Sequence, residues 1–389
     1  MKKVVLLLQK NNIKFHTEKK YAKLFYLTIY YYSKKKQNTM KEKNFIFDRR
    51  KFLQTSAMAA GVLAVAPLPT ACAPTSNIEQ NRSDFGGVKM GAITYSFRSL
   101  PSSAGNVLFY TLASGIGSIE LMGDVAEEYA GKPVAPSFGP MMRIPPGQEL
   151  TPEQQLERDA MMEARQKYNE EVSAWRLTVP MAKYEELARI YKMAGVDIHI
   201  IKVQPNMNMS DAELDYVFNV CKAVGAMGVT VELNLELAAR VSPFAVKHGK
   251  YVIFHNHEQF AKDQAFIDAG GYDAFLKYEN VRFNFDCGWY FASTGKNPIE
   301  IVEKYHDSIA SIHVKDFTGL KDGQTGTQTP WGQGDAPLKE FLLYIQSNAG
   351  KPGWPVHCDI ELEYNIPEGS DAVIETARCV EWARNVLVK

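Results

Sequence analysis

Eight short apolar, β-rich runs separated by helical patterns constrain this chain more than any other feature. The runs lie at 90–95, 118–122, 197–203, 229–234, 251–257, 281–286, 309–316 and 356–364. Between them, amphipathic helical patterns occupy 211–224, 235–248, 272–277, 298–304, 338–347 and 369–387. Strand–helix alternation repeated eight times implies a parallel sheet, and eight units predict an α/β fold of the (β/α)8 (TIM) barrel type. The second unit carries an extra stretch, 124–178, so the barrel is expected to bear a helical insertion after strand 2. It opens with the Pro/Gly-rich KPVAPSFGPMMRIPPGQ and continues with a charged, Ala/Met/Glu-rich helical segment at 151–175. An insertion at a strand's C-terminal end lies on the active face of such a barrel, so it reads as a lid or, alternatively, as peripheral decoration. The Gly/Thr-rich loop at 319–335 is a second lid candidate.

Charge separates the N-terminus from the rest. The 389 residues hold 44 Lys+Arg against 44 Asp+Glu, but residues 1–72 carry 15 bases and three acids. Residues 73–389 therefore hold 29 bases and 41 acids, a formal charge of −12. A surface that acidic repels a phosphate backbone, which argues against nucleic acid as a partner. A hydrophobic content of 46% argues against disorder, and no apolar run has the roughly 18–20 residues of a spanning helix. Asp48-Arg49-Arg50-Lys51-Phe52-Leu53-Gln54, followed by a modest apolar stretch with small residues, reads as an export signal and resembles a twin-arginine (Tat) signal. Its end, Leu68-Pro69-Thr70-Ala71-Cys72, resembles a lipoprotein cleavage site except at Pro69, so a lipid anchor at Cys72 competes with ordinary cleavage nearby. The expected organisation is a spurious extension at 1–39, an export signal at 40–72, a linker at 73–87 and the barrel at 88–389, placed in the periplasm or at the envelope. The other four cysteines show no CxxC and no short metal spacing, so they read as buried thiols.

Titratable residues gather where the later strands end. The fifth run offers His255 and His257, the sixth Asp286, the seventh His313, Lys315 and Asp316, and the eighth Glu361 and Glu363. Earlier runs contribute Glu120, Lys202 and Glu232. Residues i and i+2 of a strand share a face, so His255/His257, His313/Lys315 and Glu361/Glu363 each point together. Four consecutive strands bringing His, Asp, His and Glu to one level would be costly to bury without a cation. Two imidazoles with two carboxylates suit Mn, Zn, Co or Fe better than Ca; Mg is a further candidate for the divalent metal.

These last four strands resemble the sugar phosphate isomerase/epimerase family, the xylose-isomerase-like TIM barrels, over roughly residues 88–387. The resemblance implies one metal ligand from each of strands five to eight, here His255 or His257, then Asp286, His313 and Glu361. The His-x-Lys-Asp run at 313–316 is similar to that of inosose-dehydratase-type members. Trp331-Gly332-Gln333-Gly334-Asp335 resembles the family's Gly-x-Gly element. Two positions depart from the ketose epimerases: their strand-five Glu base is replaced by His-Asn-His, and Trp289 stands where they carry a His. The expected function is therefore metal-dependent proton abstraction next to the carbonyl of a keto-sugar, ending in isomerisation, epimerisation, hydration or elimination. Glu361 is the expected base, with Lys315, Lys202 or His257 as its partner. Glu120, Lys202, Glu232, Trp289, Trp331 and Glu363 are expected to contact substrate, and Phe260 and Tyr290 are further stacking candidates. The alternatives are a non-catalytic carbohydrate- or metal-binding exported lipoprotein and, less favoured, a metal-dependent hydrolase of the endonuclease-like branch.

Overall fold

The computed structural model describes residues 82–137 and 150–388. The expectations for 1–72, including the export signal and Cys72, and for most of the Pro/Gly-rich piece fall outside the described residues.

In chain order, β1 (Asp84–Phe85) and β2 (Val88–Ile93) precede α1 (Ala104–Ala113), β3 (Ser118–Met122) and α2 (Gly123–Ala130). The insertion helix α3 (Pro152–Arg176) and α4 (Ala182–Met193) lead to β4 (Asp197–Lys202), α5 (Asp211–Ala223), β5 (Gly228–Glu232) and α6 (Leu235–His248). Then come β6 (Tyr251–His255), three short helices α7 (Gln259–Lys262), α8 (Gln264–Asp268) and α9 (Tyr272–Phe275), and β7 (Val281–Asp286). The chain continues with α10 (Cys287–Thr294), α11 (Ile299–Tyr305), β8 (Ile309–Val314), β9 (Asp316–Phe317) and β10 (Gln328–Thr329). It ends with α12 (Leu338–Asn348), β11 (His357–Ile360) and α13 (Ala372–Leu387).

Eight of these strands pair in parallel in the order β2-β11-β8-β7-β6-β5-β4-β3, and β2 pairs with β3 to close the ring. This is the expected (β/α)8 barrel with its helical insertion after the second barrel strand. One boundary differs. Residues 83–87, counted with the linker, belong to the barrel: β1 pairs antiparallel with β2, Phe85 is buried, and Ser83 bonds Met90 and Gly117. The short turn Gly86-Gly87 makes that hairpin, so the folded unit starts before the first long apolar run. Among the described residues no helix is long and apolar enough to cross a membrane. Cys221, Cys287, Cys358 and Cys379 are free and buried.

The alternation within each strand sorts two interiors. Ile119 and Leu121, Val229 and Val231, Phe283 and Phe285, and Ile312 and Val314 face outward into one apolar core beneath the helices. Their neighbours Ser118 and Glu120, Thr230, Asn284 and Asp286, and Ser311 and His313 point into the lumen, where they bond across the barrel. Near the N-terminal ends of the strands, His199 bridges Ser118 (2.9 Å) and Asp359 (2.8 Å), and Ser311 donates to Asp359 (2.8 Å). The His199 ring also stacks on His357, 4.1 Å between centroids.

The insertion helix is mostly solvated. Thr151 and Gln154 form a capping box, Pro152 starts the first turn, and Val172 is its one buried residue. It is anchored at its C-terminal end, where Arg176 pairs with buried Glu127 of α2 (2.9 Å) and Trp175 meets the Tyr216 ring edge-on.

Gly91 marks how tightly the lower lumen is filled. A Cβ there would lie 2.1 Å from Asp359 Oδ1 and 2.9 Å from the Ser118 carbonyl. Overpacking of this kind costs about 1–3 kcal/mol. Gly91→Ala is therefore expected to lower stability by that amount in urea unfolding monitored by circular dichroism, and an unchanged midpoint would refute the close contact.

Candidate metal centre

The barrel carries its buried charges at the C-terminal ends of its strands. β6 ends on His255, β7 on Asp286, and β8 and β11 present His313 and Glu361. One ligand-type atom from each of the four lies within 4.8 Å of the others. Exposures are 1%, 0%, 0% and 5%. Of the converging atoms, His255 Nε2 is buried without a partner, whereas His313 Nδ1 lies 2.9 Å from Glu361 Oε2 and the Lys315 ammonium lies 3.0 Å from Asp286 Oδ2 and 2.7 Å from Glu361 Oε2. Two imidazoles and two carboxylates converging on one buried point are the chemistry of a cation site. The donor set fits a divalent transition metal.

The remaining atoms of these side chains are held by the protein. Asp286 uses Oδ1 to cap α10 by accepting from the Trp289 amide (2.8 Å), which leaves Oδ2 facing the cluster. Its own backbone is fixed by Asn256, which accepts from the Asp286 amide at 3.0 Å and from Tyr272 Oη at 2.6 Å. His255 turns Nδ1 to the Asn284 carbonyl (3.2 Å). His313 turns Nε2 to Glu120 (2.7 Å), and Asn284 donates to the same Glu120 oxygen (2.8 Å). A carboxylate behind an imidazole fixes which nitrogen is offered to a metal.

Electrostatics follow from this crowding. Burial pulls the His313 imidazole down, but Glu361 and Glu120 outweigh it and push it up to about 10. Burial and the neighbouring His313 hold His255 well below its ordinary value, so it is neutral. Burial would raise Glu361, yet Lys315 and His313 bring it well below the usual carboxylate range. Lys315 is wholly buried among carboxylates, 3.0 Å from Asp286, 2.7 Å from Glu361 and 2.5 Å from Glu363. Against the cost of burial these acids raise it, so it is a fixed ammonium.

The other expected site residues divide. Around the mouth, Lys202 pairs with Glu232 at 2.7 Å, and His257 Nε2 lies 3.8 Å from the other Glu232 oxygen. His257 thus groups with Glu232 and His255 rather than with the buried four, because it stands beyond the end of β6. Trp289 borders the same mouth, its ring 5.7 Å from the Lys315 ammonium and 6.1 Å from His257. Glu363 is tied to Lys315, and Gln328 of β10 spans Glu361 and Glu363 through their backbone.

Four expectations need correction. Glu120 is not a substrate contact: it is fully buried below the cluster and bonds His313, Asn284 and Thr230. Trp331 packs edge-on against Trp382 of α13, on the outer side of the barrel. Phe260 and Tyr290 meet edge-on in an aromatic cluster with Phe266 and Tyr272, also outside the lumen. The glycine element around Trp331 has a different use. Asp316 accepts from the amides of Gly332 (2.7 Å) and Gly334 (3.1 Å), and a Cβ on Gly334 would sit 2.3 Å from Asp316 Oδ1. Asn256, Asn284 and Gln328 were not expected; nothing in a single asparagine or glutamine signals that it will hold a neighbour's backbone.

Two outcomes follow for a metal titration. At pH 7 a charged His313 must give up its Nδ1 proton to a metal, so calorimetry in buffers of different ionisation enthalpy should show about one proton released per metal; no release would contradict the paired state of His313. In the metal-free protein that charge contributes stability fully present below the ordinary 6.5 and lost as pH rises through about 10. Glu120→Gln should weaken Mn or Zn affinity about 10–100-fold in chelator competition with the fold retained.

No protein-family model matches the chain, and no curated protein sequence matches it. Solved structures similar to it include the IolI protein with a binding zinc atom, at 14% identity and TM-score 0.48 over 77% of this chain and 99% of that one. A xylose isomerase domain protein from Planctomyces limnophilus shares 13% identity at TM-score 0.45 over 77% and 96%. A D-allulose 3-epimerase from Methylomonas sp. shares 11% at 0.44 over 77% and 98%.

Proposed function

We propose that this chain is a divalent-metal-dependent carbohydrate enzyme that removes a proton next to the carbonyl of a keto-sugar. The reading rests on one observation: four neighbouring strands bring His255, Asp286, His313 and Glu361 to the same buried point, with His255 Nε2 left without a partner. His255, Asp286, His313 and Glu361 would hold the ion, whose contribution when bound is Lewis-acid polarisation of a carbonyl.

The rest is the work of side chains. Glu361 is held ionised by Lys315 and His313, which makes it a ligand and a poor base. We therefore assign proton transfer to His257, half-exposed at the mouth with Nε2 toward Glu232. The fixed ammonium of Lys315 stabilises negative charge developing on a substrate oxygen, as a preorganised cation does in a site closed to water. Trp289 offers a face to the apolar side of a sugar ring. With one proton-transferring group at the mouth, isomerisation or elimination is favoured over an epimerisation that needs two opposed bases. The Tat-like segment around Arg49-Arg50 supports a reaction outside the cytoplasm, with Cys72 as a candidate point of lipid attachment, and argues for an unphosphorylated carbohydrate.

A second reading is favoured by Lys315 itself, whose ammonium already faces Asp286 and Glu361. On that reading Lys315 stands in the lumen in place of a metal and the chain binds carbohydrate without turning it over.

The test is metal analysis combined with solvent-deuterium incorporation into fructose, psicose and 3-ketoglucose. The parent should hold about one transition metal and exchange a carbon-bound hydrogen. His313→Ala should lose metal and exchange together. His257→Ala should keep the metal and lose exchange about 10²–10⁴-fold. Absence of metal in the parent after Mn or Zn is supplied would favour the binding protein.

A further inference from the structure

Beside the barrel mouth lies a cavity of about 720 Å³, bounded on one side by α3 and on the other by the segments that follow β3 and β4. Its size is that of a pocket for a small ligand. Its wall includes Lys202, the residue that pairs with Glu232 next to His257. Lys202 is thus shared by this wall and the mouth of the barrel. We propose that it is a second subsite, which takes an uncharged sugar residue linked to the reacting ring, so that the substrate is a glycoside or disaccharide without phosphate. This rests on the carbohydrate reading of the metal centre.

Charge on the wall selects the ligand class. Each cation there already faces a carboxylate: Lys132 and Arg176 lie 2.9 Å from Glu127, and Lys202 lies 2.7 Å from Glu232. Of the two helix N-termini that border the cavity, that of α5 is closed by the Ser210–Glu213 capping box, while at that of α2 no side chain caps Met122 and Asp124 occupies the Val125 amide. With Asp124, Glu127, Glu170 and Glu213 in the lining, the walls carry more carboxylates than cations and disfavour a phosphate. Neutral groups remain. Asn169 of α3 and Gln204 after β4 both line the cavity, and each amide is able to give and to accept hydrogen bonds as a hydroxyl ligand requires. The lining residues Gln166, Asn169, Ser173 and Arg176 recur at helical spacing, which explains why a long helix with one buried residue carries a polar inner face.

Isothermal titration of the full chain loaded with Mn tests the assignment, with glucose, glucose 6-phosphate, maltose, cellobiose and trehalose as probes. At least one disaccharide should bind about tenfold or more tighter than glucose, and glucose 6-phosphate no tighter than glucose. Asn169→Ala/Gln204→Ala should reduce the preferred disaccharide to the level of glucose while metal affinity is unchanged. The subsite is overturned if no disaccharide exceeds glucose, if glucose 6-phosphate binds tightest, or if the double variant keeps the preference. These outcomes are independent of catalysis. Loss of deuterium exchange with the disaccharide preference intact would sink the proposed reaction and leave the subsite standing.

Discussion

The fold depends on compensating charge inside a closed barrel. Glu120, Asp286, Glu361 and Lys315 are all withdrawn from water, and a lone buried charge would be expensive. Each is therefore matched: His313 stands between Glu120 and Glu361, and Lys315 touches Asp286, Glu361 and Glu363. Asn256 and Asn284 lock the backbone and the carboxylates from the side. Removing one partner strands another, so the lumen behaves as a unit rather than as a set of separate pairs. At its upper end His255 Nε2 stays without a partner beside Asp286, His313 and Glu361.

That arrangement requires the lumen and the outer core to be kept apart. Strand alternation does this, because every polar residue turned inward has an apolar neighbour turned outward. In β8, Ser311 and His313 face the lumen while Ile312 and Val314 join the core under the helices. The outer packing can hold the barrel together while the inside carries chemistry.

Much of this was legible in the sequence. The strand–helix rhythm located all eight barrel strands and placed α6 at its observed bounds, since apolar periodicity and capping residues are local signals. The strand ends pointed to Asp286, His313 and Glu361 at one level with either His255 or His257. Depth was not legible. Glu120 and Glu232 both occur at strand ends, yet one is sealed beneath His313 and the other opens at the mouth, because strand register around the barrel decides height. Trp331, Phe260 and Tyr290 were misplaced for a related reason: an aromatic residue in a loop carries no sign of which side of the barrel it will face. The start of the folded unit was also hidden, since the two-residue strand β1 is too short to show a period.

Asp316 ties the end of the seventh barrel strand to the loop beyond it. Its carboxylate grips the amides of Gly332 and Gly334, and it directly follows Lys315 in the chain. A side chain at 334 would collide with Asp316, and loss of Asp316 would leave two backbone amides without their acceptor. Acid and glycine thus form a single unit of sequence drift: a lineage that changes one is expected to change the other, and the lysine beside them would inherit a different setting.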